Sequence, residues 1–550
     1  MAALKTWKTY GSSARVDSLI SQARRDEIQR HNEELRQNRE ILKTITEAVL
    51  YLSKQELAFR GHDESEDSLN RDTIFKEINE CTFISVQVDE TSDVSTKEQV
   101  SMIVRMDKGC KIVERQLGFE DVSTKSDAAA ISQFVKDKLS PHSNIKDKLV
   151  MQTYDGAAVM SGHVSGVQVR VRQEYPFAYF VHCAAHRLNL VLCQSASSIA
   201  PVKIFFVDIG AFCTFTSNAP QRKAFLNSHQ IEFPSPGDTR WYYRSRVISV
   251  LHRNYQKLHD IFLGVVDEPG SWDGESLGKI SGLLHNISSF LFCFLVCVFQ
   301  QIFQQSSILY EILQGQQTDF NYGMVRIQRF VTFVSSLRSD DKFSELYQEA
   351  VDILGPPESR LEKRHNHKQI YFEIIDSIVS MMNERFQDMK QYAFLDLFNP
   401  KKFASWGGVV PPEKIILLKE MYGPLYDISM LESQLSFIYR DQDFHKDTCN
   451  ELLTYIFKFN LQSSIPEAVK LMKMNVVLSV TSASVERSFS CLKRVKTYLR
   501  NRMSQGRLSS LCRISIHRDI LKEKEDANVL HSDVVEKFVE KPRRLAFLYK

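Results

Sequence analysis

Two apolar, β-branched runs, TFISVQV (82–88) and KLVMQTY (148–154), each lead directly into an aspartate, Asp89 and Asp155. Runs of this composition and length read as strands. Between them, VSMIVRM (100–106), the turn DKG (107–109) and CKIVERQLGF (110–119) read as a hairpin. SDAAAISQFVKDKL (126–139) has helical spacing, with Ser126 or Asp127 as its N-cap. A helix over 164–174, the strand FAYFVHC (177–183) and the helix AAHRLNLVLCQSA (184–196) follow. The resulting order, β-β-β-α-β-α-β-α, restricts the first part of the chain to a mixed α/β architecture.

That order matches the ribonuclease H-like fold, in which three antiparallel strands precede parallel ones and strands one and four are neighbours. In such a sheet Asp89 and Asp155 end adjacent strands at one sheet edge, brought together by the crossover rather than by sequence proximity. A plain α/β domain with acids at its strand ends is the alternative reading. A third carboxylate, Glu486, lies far downstream in SASVERSFS. Three carboxylates so placed can hold two divalent metal ions, the arrangement that cuts and joins phosphodiester bonds.

The intervening sequence changes character. RVISVLHRNYQKLHDIFLGVV, SGLLHNISSFLFCFLVCVFQQIF, FSELYQEAVDIL and KQIYFEIIDSIVSMMNERFQ are helical, with breaks at PG (269–270), GPP (355–357) and GGVVPP (407–412). The expected organisation is an N-terminal helical segment with an acidic linker (1–72, the linker being GHDESEDSLNRD, 61–72), the first part of the α/β core (73–244), a helical insertion (245–465), a mixed segment completing the core (466–525) and a tail (526–550). A chain of 550 residues accommodates two or three such domains.

Composition narrows the setting. A formal charge of +3 is too small to identify a partner, so local clusters must be read instead. Ten cysteines without a CxxC pair argue against a classical zinc finger and against a secreted disulfide framework, and fit reduced thiols in a nuclear or cytosolic protein. The N-terminus MAALKTWKTYGSSARVD has no signal-peptide core. FLFCFLVCVF (290–299) is about half a membrane span and reads as a buried helix, which argues against membrane insertion.

In SASVERSFSCLKRVKTYL (482–499), Val485, Phe489, Leu492, Val495 and Leu499 recur at helical spacing as a buried stripe. Glu486 stands beside it; by spacing alone an ordinary surface glutamate fits equally. From Arg487 to Arg518 the chain carries Arg487, Lys493, Arg494, Lys496, Arg500, Arg502, Arg507, Arg513 and Arg518 with no acid among them. This run suits DNA phosphates, or is a solvated face. The apolar positions 508, 511, 514 and 516 interleave with it, as in a packed helix. Cys183 and His186 form a lone CxxH pair with no second pair to complete a zinc site.

VDETSD (88–93), YDGAAVMSG (154–162), HCAAHRLNL (182–190), TRWYYR (239–244) and SASVERSFSCLKRVKTYLRNRMSQGRLSSLCRISIHRDI (482–520) occur in this order. Together they resemble the hAT superfamily of DNA transposases and host proteins derived from them, on the branch of zinc finger MYM-type and TTF-type finger proteins. The likeness covers roughly 45–525 and is most specific at the C-terminal block, the family's dimerisation region. It implies a ribonuclease H-like core interrupted by an all-helical insertion, with Asp89, Asp155 and Glu486 as a metal-binding DDE triad using Mg²⁺ or Mn²⁺.

It further implies nuclear localisation, DNA as partner, and a homodimer or higher oligomer, related transposase-derived proteins included. The family's counterpart of Trp241 stacks on a flipped base, which fits base–aromatic energetics; a core tryptophan is the alternative. Arg240 and Arg244 are candidate phosphate contacts, with Arg487, Lys493 and Arg494. The family carries its CxxH beside the active site, so Cys183 and His186 are expected to position the chain near DNA, with simple packing the alternative. Relatives also carry a zinc finger before the matched region and a longer helical stretch between Asn70 and Thr73, and the segment before TRW (226–238) looks shortened. These departures bear on recognition of transposon ends more than on the three acids. A catalytically silent protein acting by dimerisation in DNA binding or transcriptional regulation is the alternative function.

Overall fold

A computed structural model describes residues 22–54, 69–216, 219–234, 241–270, 272–315, 318–357, 360–497 and 503–539. The chain forms two compact units, one from Met1–Gln152, Ala158–Tyr179 and Ser484–Lys550, the other from Thr153–Ala157 and Phe180–Ala483.

The alternating runs form a five-stranded sheet: β1 (Ile84–Ser92), β2 (Glu98–Lys108), β3 (Lys111–Asp121), β4 (Leu149–Tyr154) and β5 (Tyr179–His182). Its order is β3-β2-β1-β4-β5, so the first and fourth strands are neighbours. β1 and β2 are antiparallel from Ile84↔Met106 to Ser92↔Glu98. β2 and β3 are antiparallel with a register shift, since Met102 faces Gly118 and Ile103 faces Gln116, leaving Leu117 as the extra residue of a bulge. Gly118 takes φ 142°, a conformation that side chains disfavour. The crossover after β3 uses the Ala128–Leu139 helix, capped by Asp127, whose carboxylate accepts from Ala130 N at 2.8 Å.

The C-terminal block folds back on this sheet. Val485, Phe489, Leu492 and Val495 of the Ala483–Val495 helix, with Leu508 and Cys512 of the Gln505–Ile516 helix, bury against Ile103 and Phe119. Full burial of each aliphatic or aromatic side chain contributes about 1.5–3 kcal/mol. Leu499 lies outside the described residues. The expected mixed character of 466–521 is not observed: the described residues there belong to helices Pro466–Val477, Ala483–Val495, Gln505–Ile516 and Arg518–Asp526 and their connections. The stretch around Val480, between the first two of these helices, forms no strand. Helix Gln22–Lys54 packs Leu42 against Val535, Phe538 and Val539 of helix Leu530–Val539, so part of the expected tail is structured. Most of the expected acidic linker lies outside the described residues, and helix Leu69–Glu80 begins within its last residues.

β3 ends the sheet, and an open edge is a liability. Here its amides have partners from the C-terminal block: Phe119 N donates to Ser509 Oγ at 3.1 Å, and Gln116 N donates to His517 Nε2 at 3.0 Å. His517 is 2% exposed, and burial, followed by the nearby Arg115, pushes its pKa down from 6.5 to about 4. Arg513 acts in the same sense, while the Gln116 backbone and Asp519 oppose it. The imidazole therefore stays neutral and keeps its acceptor. Between pH 6.5 and 4 the unfolded chain binds a proton at this position that the folded chain does not. Stability is thus fully present above pH 6.5 and falls as the pH drops to 4, by about 3 kcal/mol for a shift of this size. Urea unfolding at pH 7 and at pH 4.5 is expected to show this loss, and His517→Gln, which keeps an acceptor without a titrating group, should flatten it. An unchanged pH slope in that variant would refute the assignment.

The second unit is helical and wider than the 245–465 expected, because Ala184–Ser198 and Ala200–Phe215 at one end and Pro466–Val477 at the other belong to it. Its breaks fall where PG, GPP and GGVVPP stand in the sequence. The greasy run is the start of a 24-residue helix, Phe290–Leu313, long and apolar enough to cross a membrane by length and composition. Every residue from 292 to 299 is nevertheless buried, with Phe299 stacked on Phe205 (5.5 Å, 13°). It is a core helix of this unit.

Candidate functional site

In the sheet unit, Asp89 is half-buried near the end of β1, and its Oδ1 accepts from Glu90 N at 2.9 Å. It faces Ser101 across the β1–β2 pair. Ser101 Oγ is 2.8 Å from Ser488 Oγ on the Ala483–Val495 helix, a hydroxyl that also donates to Val485 O. One turn earlier, Ser484 Oγ donates to Glu114 of β3. Serines at i and i+4 share a helix face. These two therefore fix the rotation of the helix about its axis, and with it the direction of Glu486, which is half-buried.

Glu114 is the hub of this docking. It accepts from Gln87 Nε2 of β1 at 3.3 Å, Arg105 Nη1 of β2 at 3.1 Å and Arg487 Nη2 at 3.3 Å, besides Ser484. Gln87 and Asp89 are two residues apart on one strand and point to the same face of the sheet. The SASVERS motif thus reads as docking groups, Ser484, Arg487 and Ser488, surrounding Glu486.

In the helical unit, Asp155 follows β4 and its Oδ1 accepts from Ala157 N at 3.2 Å. A Cβ at Gly156 would lie 2.3 Å from His182 Cε1, so the glycine lets the turn approach this ring without displacing it. Burial, then Arg187, His186 and Arg385, drives the His182 pKa down to about 3, so the ring beside the Asp155 turn is neutral. Cys183 N donates to Tyr154 O at 2.8 Å, and Thr153 Oγ1 donates to Ser479 O at 3.0 Å. Ala184 N donates to Val480 O at 2.9 Å, and Ser482 N donates to Cys183 Sγ at 3.3 Å. The segment that leads into the Glu486 helix is therefore laced to the end of the strand that leads into Asp155.

The remaining sequence candidates divide. Cys183 is 1% exposed, so direct DNA contact is ruled out for it; its sulfur positions Ser482. His186 is half-buried, 6.2 Å from the His182 ring. Arg244 turns into the helical unit, where Nη1 lies 3.8 Å from Cys193 Sγ and the guanidinium stacks 5.2 Å over Phe206. Arg240 lies outside the described residues; Trp241 begins the Trp241–Arg253 helix. Lys493 and Arg494 are exposed on the C-terminal block, as is Arg487, which pairs with Glu114.

The rest of the basic run is partly structural. Lys496 pairs with Asp93, Arg513 is buried with Nε on Ser509 O, and Arg518 donates to the Ser515 and Lys54 carbonyls.

Two family models match the chain: the ZMYM1/FAM200, RNase-like domain over residues 12–79 and 71–166, and the hAT family C-terminal dimerisation region over residues 438–520. The chain thus carries segments similar to transposase-derived, hAT-type domains. A human protein described as "52 kDa repressor of the inhibitor of the protein kinase" is similar at 22% identity over 503 residues, covering 82% of this chain and 64% of the relative. The chain thus spans just under two thirds of that relative's length. Asp89, Asp155 and Glu486 all fall within the matched segments of this chain, as do Arg487, Lys493 and Arg494; Cys183, His186, Arg240, Trp241 and Arg244 fall between them. The dimerisation-region match supports oligomerisation.

Sequence reasoning missed Glu114, His182 and the Ser482–Cys183 link. Glu114 sits in an ordinary strand pattern, and its partners come from two other strands and a helix about 370 residues away. The one available signal was Gly156 directly after Asp155, which marks a close approach.

Proposed function

We propose that this chain is a transposase-derived nuclear DNA-binding protein whose Asp89, Asp155 and Glu486 form a DDE site for metal-dependent cleavage and strand transfer of DNA. In this reading the sheet is a ribonuclease H-like core, the helical unit is its insertion, and the C-terminal region mediates a homodimer or higher oligomer. The observation that carries it is the lacing of 479–482, the residues that precede the Glu486 helix in the chain, to Thr153, Cys183 and Ala184. The neighbouring positions of β1 and β4 support the same reading for Asp89 and Asp155.

The donor set fits hard divalent cations, being three half-buried carboxylates and therefore all oxygen. Asp89 and Asp155 each use one oxygen to accept a nearby backbone N–H, which orients the carboxylate without neutralising it. When bound, two Mg²⁺ or Mn²⁺ ions would supply activation of a water or 3′-hydroxyl and stabilisation of an in-line displacement. The chain's own part is orientation: Ser484, Ser488 and Glu114 hold the Glu486 helix, and Gly156 allows the turn at Asp155 to close on a neutral imidazole. Exposed Lys493 and Arg494 suit phosphate contacts in a sequence-independent way.

A second reading has its own support in the name of the human relative, a repressor: a silent protein acting through DNA binding and dimerisation. Full-length protein incubated with Mn²⁺ and a supercoiled plasmid carrying the genomic flanks of its gene separates the two. Nicked or linearised plasmid with ends at the flank boundary is the expected result. Retarded plasmid without any strand break would overturn the catalytic reading in favour of the regulatory one.

A further inference from the structure

Three helices of the helical unit converge on a mixed set of donors that the proposed DNA chemistry does not use. His252 comes from helix Trp241–Arg253, Cys297 from helix Phe290–Leu313 and Glu349 from helix Asp340–Leu354. Their ligand atoms all lie within 4.8 Å of one another, and His252 Nε2 is 2.8 Å from Glu349 Oε1. Cys297 is 1% exposed and carries a free thiol. The other two donors reach solvent, with side-chain exposures of 25% for His252 and 40% for Glu349. The cluster is therefore closed on its sulfur side and open on its imidazole and carboxylate side, which provides a route for an ion.

We propose that His252, Cys297 and Glu349 form a zinc site that clips these three helices together. Donor identity selects the metal. A thiolate and an imidazole beside a single carboxylate suit Zn²⁺ and disfavour Mg²⁺ and Ca²⁺, which take all-oxygen shells. Bond lengths of about 2.0–2.3 Å from a tetrahedral zinc place its ligand atoms roughly 3.3–3.7 Å apart. The observed cluster lies within about 1 Å of that, and the side-chain torsions of Glu349 and His252 supply the adjustment. Binding replaces the S–H bond of Cys297 by an S–Zn bond and releases that proton to solvent, together with the imidazole proton where His252 is charged. The three ligands are far apart in sequence, so the ion closes two long loops and stabilises the folded unit by linkage.

The ordinary alternative is a His252–Glu349 ion pair packed over a buried thiol. Cobalt separates them, because only a thiolate ligand gives a sulfur-to-cobalt charge-transfer band in the near ultraviolet. Full-length protein, stripped with a chelator and titrated with Co²⁺, is expected to develop that band with tetrahedral d–d absorption at one equivalent per chain, and Zn²⁺ should bleach both. Cys297→Ser should abolish the charge-transfer band, whereas Cys293→Ser, which removes another buried thiol one helical turn away, should retain it. Glu349→Gln, on a well-exposed side chain that leaves folding intact, should weaken Co²⁺ binding by at least about tenfold. Absence of the band in the wild type, its survival in Cys297→Ser, or its equal loss in both cysteine variants overturns the site. Asp89→Asn leaves the band untouched, which keeps this test independent of the carboxylate triad.

Discussion

Glu486→Gln is expected to lower Mn²⁺-dependent plasmid nicking by at least about 10³-fold while leaving the fold intact. The substitution keeps size and shape and removes one charge from a site that needs several. A divalent-ion site contributes several kcal/mol of transition-state stabilisation, and about 4 kcal/mol corresponds to three decades of rate. The helix itself is held by Val485, Phe489, Ser484 and Ser488, none of which the change touches. Circular dichroism and gel filtration of the variant should therefore match the wild type. Asp89→Asn and Asp155→Asn should fall to the same level, and pairs of these substitutions should add little, since the proposed triad would act as a unit. Lys493→Ala is the contrasting control. An exposed phosphate contact changes affinity and its salt dependence rather than the rate at saturation. Nicking that persists at wild-type rate in Glu486→Gln would remove Glu486 from the reaction.

Local patterns carried the fold a long way. The alternating runs, the Asp127 cap and the Gly- and Pro-rich breaks lie where short-range chemistry puts them, because each depends on a few adjacent residues. The positions of Asp89 late in β1 and of Asp155 directly after β4 were legible for the same reason, although β1 runs on to Ser92. The reading failed where the interactions are long-range. The segment after 466 was expected to be mixed, but the stretch around Val480 uses its carbonyls to accept from Thr153 and Ala184, and no strand forms there. The basic run looked like one surface, but Lys496 and Arg513 turn inward to a carboxylate and a carbonyl that the linear sequence does not place beside them. For Cys183 and His186 the family resemblance suggested a positioning role near DNA, with packing as the alternative, and the Cys183 sulfur is a hydrogen-bond acceptor for a residue about 300 positions away. Nothing near Cys297 in the sequence marks it either, because its companions come from two other helices.

Asp93→Ala is expected to destabilise the sheet unit by about 3–5 kcal/mol, and Lys496→Met by clearly less. Asp93 closes the VDETSD motif, and its side chain is 1% exposed; that of its partner Lys496 is 3% exposed. The two are not equivalent. Asp93 Oδ1 accepts from Ser95 N at 2.7 Å, Ser95 Oγ at 2.6 Å and Lys97 N at 3.3 Å, and Oδ2 accepts from Gln99 Nε2 at 3.2 Å as well as from Lys496. These bonds shape the β1–β2 turn and hold the Asp93 carboxyl below its usual range despite burial. Without Lys496 the carboxylate keeps four donors. Without Asp93 the turn loses its acceptor, and a buried ammonium is left uncompensated, which is the costly case. It follows that Asp93→Ala combined with Lys496→Met should be more stable than Asp93→Ala alone. Because the Asp93 pKa is lowered, its contribution is present above the ordinary value of 3.8 and is lost as the pH falls below it. Urea unfolding of the four proteins at neutral pH measures the cycle. Equal losses for the two single variants, or a double variant less stable than Asp93→Ala, would mean that the pair is a solvated contact and that VDETSD and the C-terminal block are joined by packing alone.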